Sequence, residues 1–84
     1  MNNLEHKWSV VDEKLVRSYN FSTFSAAIAF VTDVGRISEI ENHHPSILVE
    51  YTTVTLTCVT HDKGNAITDL DHRLAAKIDN NYIL

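Results

Sequence analysis

Thr53-Val54-Thr55-Leu56-Thr57-Cys58-Val59-Thr60 is the stretch from which the architecture follows. Val54, Leu56 and Cys58 alternate with Thr53, Thr55 and Thr57, the period of a strand with one buried face. A strand covered on both sides would be apolar throughout, so the alternation predicts an antiparallel sheet with helices on one side. The threonine face is then either solvated or set against another subunit. Just upstream, Ile47 to Tyr51 reads as the antiparallel partner strand. Before it, Pro45 disfavours helical geometry at His44, so any preceding helix is finished there. That helix starts at Ser22, an N-cap whose hydroxyl can accept from an unpaired amide, and runs to about Glu41. Its apolar stripe is Phe24, Ala27, Ile28, Val31 and Val34, widened by Phe30 and Ile37, with Thr23, Ser25, Thr32, Asp33 and Arg36 opposite. Further upstream, Trp8 to Asp12 and Leu15 to Phe21 form a hairpin across Asp12-Glu13-Lys14. Downstream, Gly64 and Asn65 mark a loop. Thr68 with Asp71 makes a capping box of the Thr-x-x-Asp form. It opens a second helix in which Leu70, Leu74 and Ile78 share a face with Ala75. The order ββαββα gives an α+β fold, a four-stranded antiparallel sheet with helices packed on one face.

At 84 residues the chain is one domain spanning 1–84, with room for a single modest core. Small scaffolds gain from disulfides, metals or self-association. Cys58 is the only cysteine, so no internal disulfide forms, and it reads as a small core residue. Oligomerisation is then the expected source of extra stability. Seven basic residues face eleven acidic ones, for a net charge of −4, and the basic residues are scattered singly. Binding to a phosphate backbone needs a concentrated basic face, so nucleic acid is not an expected partner. No apolar stretch reaches the roughly 20 residues needed to span a bilayer, so neither is a membrane. Met1-Asn2-Asn3-Leu4-Glu5 lacks the basic start and apolar core of a secretory signal, and the expected location is cytoplasmic.

Five histidines are many for this length. His43 and His44 follow the first helix, and His61 ends the fourth strand. If the third and fourth strands pair antiparallel, His61 lies beside the His43-His44 loop, and Asp71 opens the helix beyond. Three imidazoles and a carboxylate would suit zinc, but adjacent histidines are awkward for chelating one ion. They would also suit acid–base catalysis, since one imidazole can donate while another accepts near neutral pH. Loop histidines are also often plain solvated groups, the reading given to His6 and His72. Composition leaves these readings open.

The stretch Glu39-Ile40-Glu41-Asn42-His43-His44-Pro45, then Tyr51, Thr60-His61-Asp62 and Thr68-Asp69-Leu70-Asp71 with Leu74-Ala75, resembles the pterin-4a-carbinolamine dehydratases. In that family a Glu lies four residues before His-His-Pro, and an aromatic residue follows in the next strand. A Thr-His then closes the following strand and an Asp opens the last helix. Trp8 and the Phe21-to-Ala29 stretch fit as well. The resemblance covers Trp8 to Asp79. It implies a hydro-lyase that converts 4a-hydroxytetrahydropterin to quinonoid dihydropterin and water, in tetrahydropterin recycling. It implies no cofactor, since the pterin is the substrate, and no metal. His43, His44, His61 and Asp71 are then the catalytic set, with Glu39, Asn42, Pro45, Thr60 and Asp62 on the substrate. His61 is expected to protonate the 4a-hydroxyl while His44 or His43 handles the N5 proton, with Asp71 orienting one ring. Implied partners are a second copy, as homodimer or homotetramer, and an aromatic amino-acid hydroxylase in the same pathway. A binding-only role in transcription coactivation or enzyme assembly is the alternative on the same scaffold.

The chain departs from the family in four places. Asn42 stands where an acidic residue is common, and Leu70 where a basic one is. The His61-to-Thr68 loop is one residue longer. Many members also begin with a helix before the tryptophan, which the residues ahead of Trp8 are too few to match.

Overall fold

The computed structural model describes residues 7–83. Its elements run β1 (Ser9–Val11), β2 (Lys14–Asn20), α1 (Phe24–Glu41), β3 (Ser46–Glu50), β4 (Thr53–Cys58) and α2 (Asp69–Ile83), with a 3-10 turn at His61–Lys63 between β4 and α2. The expected order ββαββα and α+β class hold. All pairs are antiparallel, and the spatial order is β1-β2-β4-β3, so β4 is interior and bonded on both sides. The expectation that the family's helix before Trp8 is missing or truncated concerns residues outside those described, as does the reading of His6.

The alternation in β4 becomes its two faces. Val54, Leu56 and Cys58 are fully buried, and across β2 the register sets Tyr19, Arg17 and Leu15 against them in turn. Ala27, Phe30, Val34 and Ile37 of α1 and Leu74, Ala75 and Ile78 of α2 cover this row. Burying each Val- to Phe-sized side chain contributes about 1.5–3 kcal/mol, so this one layer supplies most of the driving force. The other sheet face is mainly polar, with Val16 and Leu48 among its threonines and serines, and is partly closed by its own hydroxyls. Ser18 and Thr55 share a hydrogen bond of 2.8 Å, and Thr53 donates to Asn20 Oδ1 at 2.9 Å.

Several local expectations are corrected. Thr23, not Ser22, caps α1: its hydroxyl accepts from the Ala26 amide at 3.0 Å, and its backbone is extended. The buried stripe of α1 is rotated towards Phe30 and Ile37, leaving Phe24 53% and Ile28 40% exposed. The core-facing stripe of a surface helix is about 100° wide, and seven apolar positions are more than it holds. Tyr51 lies in the β3–β4 turn with φ 58° and 81% exposure, not in a strand. In α2 the inward position taken for Leu70 belongs to Asp71, which is 0% exposed, while Leu70 is 49% exposed.

Arg17 is the other buried charge. Its guanidinium lies 2.9 Å from Asp79 Oδ1 and 4.4 Å from the Tyr19 ring centroid. Asp79 also accepts from Tyr19 Oη at 2.6 Å and Trp8 Nε1 at 2.9 Å. Burial, then the bond to Asp79 and its charge, push the Tyr19 hydroxyl pKa well up, against the opposing charge of Arg17.

The β1–β2 turn carries avoidable strain. Asp12 and Glu13 both have positive φ, 51° and 65°, the pattern of a two-residue turn that favours Asn-Gly. A left-handed non-glycine residue costs about 1–2 kcal/mol, against about 0.5–1 kcal/mol for the extra chain entropy of glycine. Glu13→Gly is therefore expected to raise stability by about 0.5–1 kcal/mol in urea titrations. An unchanged or lower midpoint would show that the turn is unstrained.

Candidate active site

Helix α1 has to stop where the sheet begins, and Asn42 stops it. With φ 53° and ψ 41° it is left-handed, a conformation Asn tolerates better than most residues. Its amide donates to Glu39 O at 3.3 Å, and the His43 amide donates to Ser38 O at 3.1 Å. These bonds satisfy the last carbonyls of the helix and turn the chain sharply. The two neighbouring histidines then part. His43 goes inward, its side chain 11% exposed, with Nε2 2.7 Å from Asp71 Oδ1. His44 goes outward, 55% exposed, with Nε2 2.6 Å from Glu39 Oε2.

Asp71 is the centre of the arrangement. Its second oxygen accepts from Thr60 Oγ1 at 2.7 Å and from the Thr68 amide at 2.9 Å. The latter is the return bond of the capping box. Thr60 and Thr68 hydroxyls lie 2.6 Å apart. The Thr60 proton is committed to the carboxylate, so Thr68 donates to Thr60, while Leu70 N donates to Thr68 at 3.3 Å. Burial alone would raise the Asp71 pKa. The hydrogen bonds from His43, the Thr68 amide and Thr60, with the His43 charge, outweigh it and hold the carboxyl below its ordinary value. An ionised Asp71 can only accept, so His43 Nε2 carries a proton and its Nδ1 is left for other work.

His61 arrives from the far side. Beyond β4, Thr60 bridges to Ala66, with Thr60 N donating to Ala66 O at 2.8 Å. The loop between them folds back as Lys63 N and Asn65 N donate to Thr60 O, each at 3.1 Å. His61 rides on this loop, exposed, with Nδ1 2.8 Å from Asn65 Oδ1.

The three histidines line one open cleft of about 430 Å³ with Glu41, Asn42, Thr60, Asp62 and Leu70. An adjoining recess of about 380 Å³ shares Glu41, His43 and Leu70 and adds Ile40 and Arg73. Arg73 Nε donates to Glu41 Oε1 at 2.8 Å across its mouth, tying α2 to α1. A groove of about 310 Å³ between the helices, bounded by Arg36, Ile37, Lys77 and Asn80, holds no histidine. Of the residues singled out in the sequence, Asn42, His43, His44, Thr60, His61 and Asp62 meet in the cleft, and Asp71 lies beneath it. Glu39 steadies His44 from outside, and neither it nor Pro45 lines the cleft. Thr60 is 6% exposed with its hydroxyl committed to Asp71, so its contribution is to hold the carboxylate. Glu41 and Asn65 went unnoticed as site residues. Glu41 could have been found from its place beside the histidine pair, whereas Asn65 carries no local signal beyond its loop.

Among the described residues, no group of three or more His, Cys, Asp and Glu side chains is arranged to hold a metal ion. None of the described helices is long and apolar enough to cross a membrane. Cys58 sits below the site, buried, its thiol pushed up to about 12 by burial and then by the Asp71 charge. It is an inert core group at neutral pH.

Comparison with known proteins gives one consistent result. A family model described as pterin 4 alpha carbinolamine dehydratase matches residues 1–81. A Chloroflexus aurantiacus protein named "Putative pterin-4-alpha-carbinolamine dehydratase" is 44% identical over 72 residues, 86% of this chain and 76% of its own. A Streptomyces avermitilis protein of the same name is 36% identical over 72 residues, covering 86% and 71%. The crystal structure of a transcriptional coactivator/pterin dehydratase from Brucella melitensis superposes with a TM-score of 0.80 at 35% identity, over 87% of this chain and 79% of that one. A pterin dehydratase-like protein identified as a RuBisCO assembly factor in the alpha-carboxysome has the same fold, with a TM-score of 0.75 at 21% identity and 90% of each chain covered.

The depressed Asp71 pKa has a stability consequence of definite sign. An unfolded aspartate titrates near 3.9, above the folded value, so the unfolded chain binds the proton more readily. The stabilisation is complete well above pH 4 and is lost as pH falls through the folded value. Urea midpoints of the wild type should therefore fall more steeply from about pH 5 to pH 3 than those of Asp71→Asn, which is less stable at pH 7. Parallel curves would mean that Asp71 titrates alike in both states.

Proposed function

This chain belongs to the pterin 4 alpha carbinolamine dehydratase family, and from that premise we propose that it expels water from a 4a-hydroxytetrahydropterin by histidine acid–base catalysis. The observation that carries the reading is the convergence of His43, His44 and His61 on one cleft, each ring with one nitrogen already bonded to a protein oxygen. A ring held by one nitrogen presents the other to a substrate, and imidazole exchanges protons near neutral pH.

The reaction asks for two proton transfers and no redox step. His61, at the mouth of the cleft, donates a proton to the 4a-hydroxyl. The C4a–O bond breaks, and its electron pair leaves with water. His43 or His44 takes the proton from N5, whose electrons form the C4a=N5 double bond of the quinonoid dihydropterin. Asp71 orients His43 and Glu39 orients His44, as carboxylates do for catalytic imidazoles. Asn42 and Asp62 line the cleft within reach of a bound ring. No organic cofactor or metal enters this scheme. Pterin recycling beside an aromatic amino-acid hydroxylase, a cytoplasmic location and a homodimer or homotetramer complete the proposal. The small core is the physical argument for self-association.

His61→Ala is expected to lower turnover by roughly 10²–10⁴-fold, the range for a general acid or base. The assay follows the ultraviolet absorbance of enzymatically generated 4a-hydroxytetrahydropterin, with the His43/His44/His61 triple alanine variant as the background. Wild-type turnover in the single variant would remove His61 from the chemistry. A folded wild-type protein with no turnover would instead point to a binding role for the scaffold.

A further inference from the structure

We propose that Asn65 is a positioning residue that fixes His61 in one tautomer, with the proton on Nδ1 and Nε2 left as the nitrogen that meets the substrate. The inference deepens the dehydratase reading and, for its catalytic part, rests on it.

The geometry is a single short contact within the loop from His61 to Ala66. His61 Nδ1 and Asn65 Oδ1 are 2.8 Å apart. An amide oxygen can only accept, so Nδ1 is the donor. Asn65 is placed by its own backbone. It is left-handed with φ 62°, follows Gly64 at φ 70°, donates its amide to Thr60 O at 3.1 Å and precedes the Thr60–Ala66 bridge. Asn and Gly are the residues that accept this conformation readily, and of the two only Asn brings an acceptor. His61 lines the cleft, whereas Asn65 does not, so the bond anchors the ring from behind.

The consequence concerns what happens to the ring as it works. A His61 imidazolium holds protons on both nitrogens, one bonded to Asn65. When Nε2 gives its proton to the 4a-hydroxyl, the neutral ring retains Nδ1–H and keeps its bond to Asn65. The product of the transfer is thus already the tautomer that the loop favours, and Nε2 is ready to be reprotonated. Without the acceptor, the neutral ring would divide between two tautomers, and in one of them the lone pair sits on the wrong nitrogen. His43 is held in the opposite sense, through Nε2 to Asp71. Both anchors trace to Thr60: its hydroxyl binds Asp71, and its carbonyl accepts from Asn65.

Asn65→Gly removes the acceptor while suiting the left-handed backbone, so the loop should keep its path. Asn65→Asp restores an acceptor. Long-range ¹H–¹⁵N spectra of the histidine rings at about pH 8.5, where imidazoles are neutral, report the tautomer directly. The His61 signals are identified by their loss in His61→Ala. The wild type and Asn65→Asp should show His61 protonated at Nδ1, and Asn65→Gly a mixture containing Nε2–H. In turnover, Asn65→Gly should lower kcat about two- to tenfold, the size of one exposed hydrogen bond, with KM little changed, and Asn65→Asp should recover most of it. An Nε2–H ring in the wild type, or identical spectra in Asn65→Gly, would overturn the assignment of the tautomer. Full kcat in Asn65→Gly beside an active wild type would overturn the positioning role. An inactive wild type would sink the dehydratase reading instead, and the spectra would still decide the tautomer.

Discussion

A buried, ionised carboxylate is expensive unless every lone pair in use is answered, and Asp71 meets that condition at zero exposure. Its donors come from three places. His43 Nε2 stands just past the end of α1, Thr60 Oγ1 just past β4, and the Thr68 amide at the start of α2. The first turn of a helix also favours negative charge. One side chain therefore joins three chain segments at the place where the end of the interior strand β4 meets both helices. The inward course of His43, the orientation of the Thr60 hydroxyl and the start of α2 all meet at that charge.

Helix α2 carries a second inward carboxylate. Asp79 follows Asp71 by eight residues, about 12 Å along the axis at 1.5 Å per residue. It binds Arg17 and Tyr19 of β2 and Trp8 ahead of β1. Between the two lie Leu74, Ala75 and Ile78, all buried against the sheet. The helix is thus fixed by polar contacts at two points and by apolar packing between them. A site hung from a helix fixed in this way inherits little freedom to drift, as the acid–base chemistry proposed for it would require of the groups behind the reacting ones.

These two carboxylates also explain where the sequence was readable and where it was not. The period of two from Thr53 to Cys58 is a local property, and the sheet and its buried face followed from it. The phase of α2 is not local. Ranked by hydropathy, Leu70 belongs inside and Asp71 outside, and the structure reverses them because the donors for Asp71 come from residues 3 to 28 positions away. For the same reason His43 and His44, identical and adjacent, have opposite surroundings that no local pattern distinguishes. Ser22 is by chemistry at least as good a cap as Thr23. It is the extended backbone at Thr23, set only in the folded chain, that makes the second one the cap. Asn65 reads as a polar loop residue, and Asn42 as a substrate contact standing at an acidic position of the family. Their left-handed backbones, which make Asn a fitting choice, exist only once the helix and the loop have closed.

The site therefore combines two kinds of histidine, and the difference lies in how each is supported. His43 is nearly buried and bonded to an ion that is itself held by two further donors. Its orientation is as rigid as the core beneath it. His61 is exposed on a short loop, and among the described residues its side-chain partner is a neutral amide on the same loop. An exposed ring is free to pass its proton to and from solvent, while a buried one is better suited to hold a fixed position against a substrate. Thr60 joins the two, through its hydroxyl on one side and its carbonyl on the other. The rigid and the accessible parts of the cleft thereby share one anchor, at the residue where the interior strand of the sheet gives way to the loop.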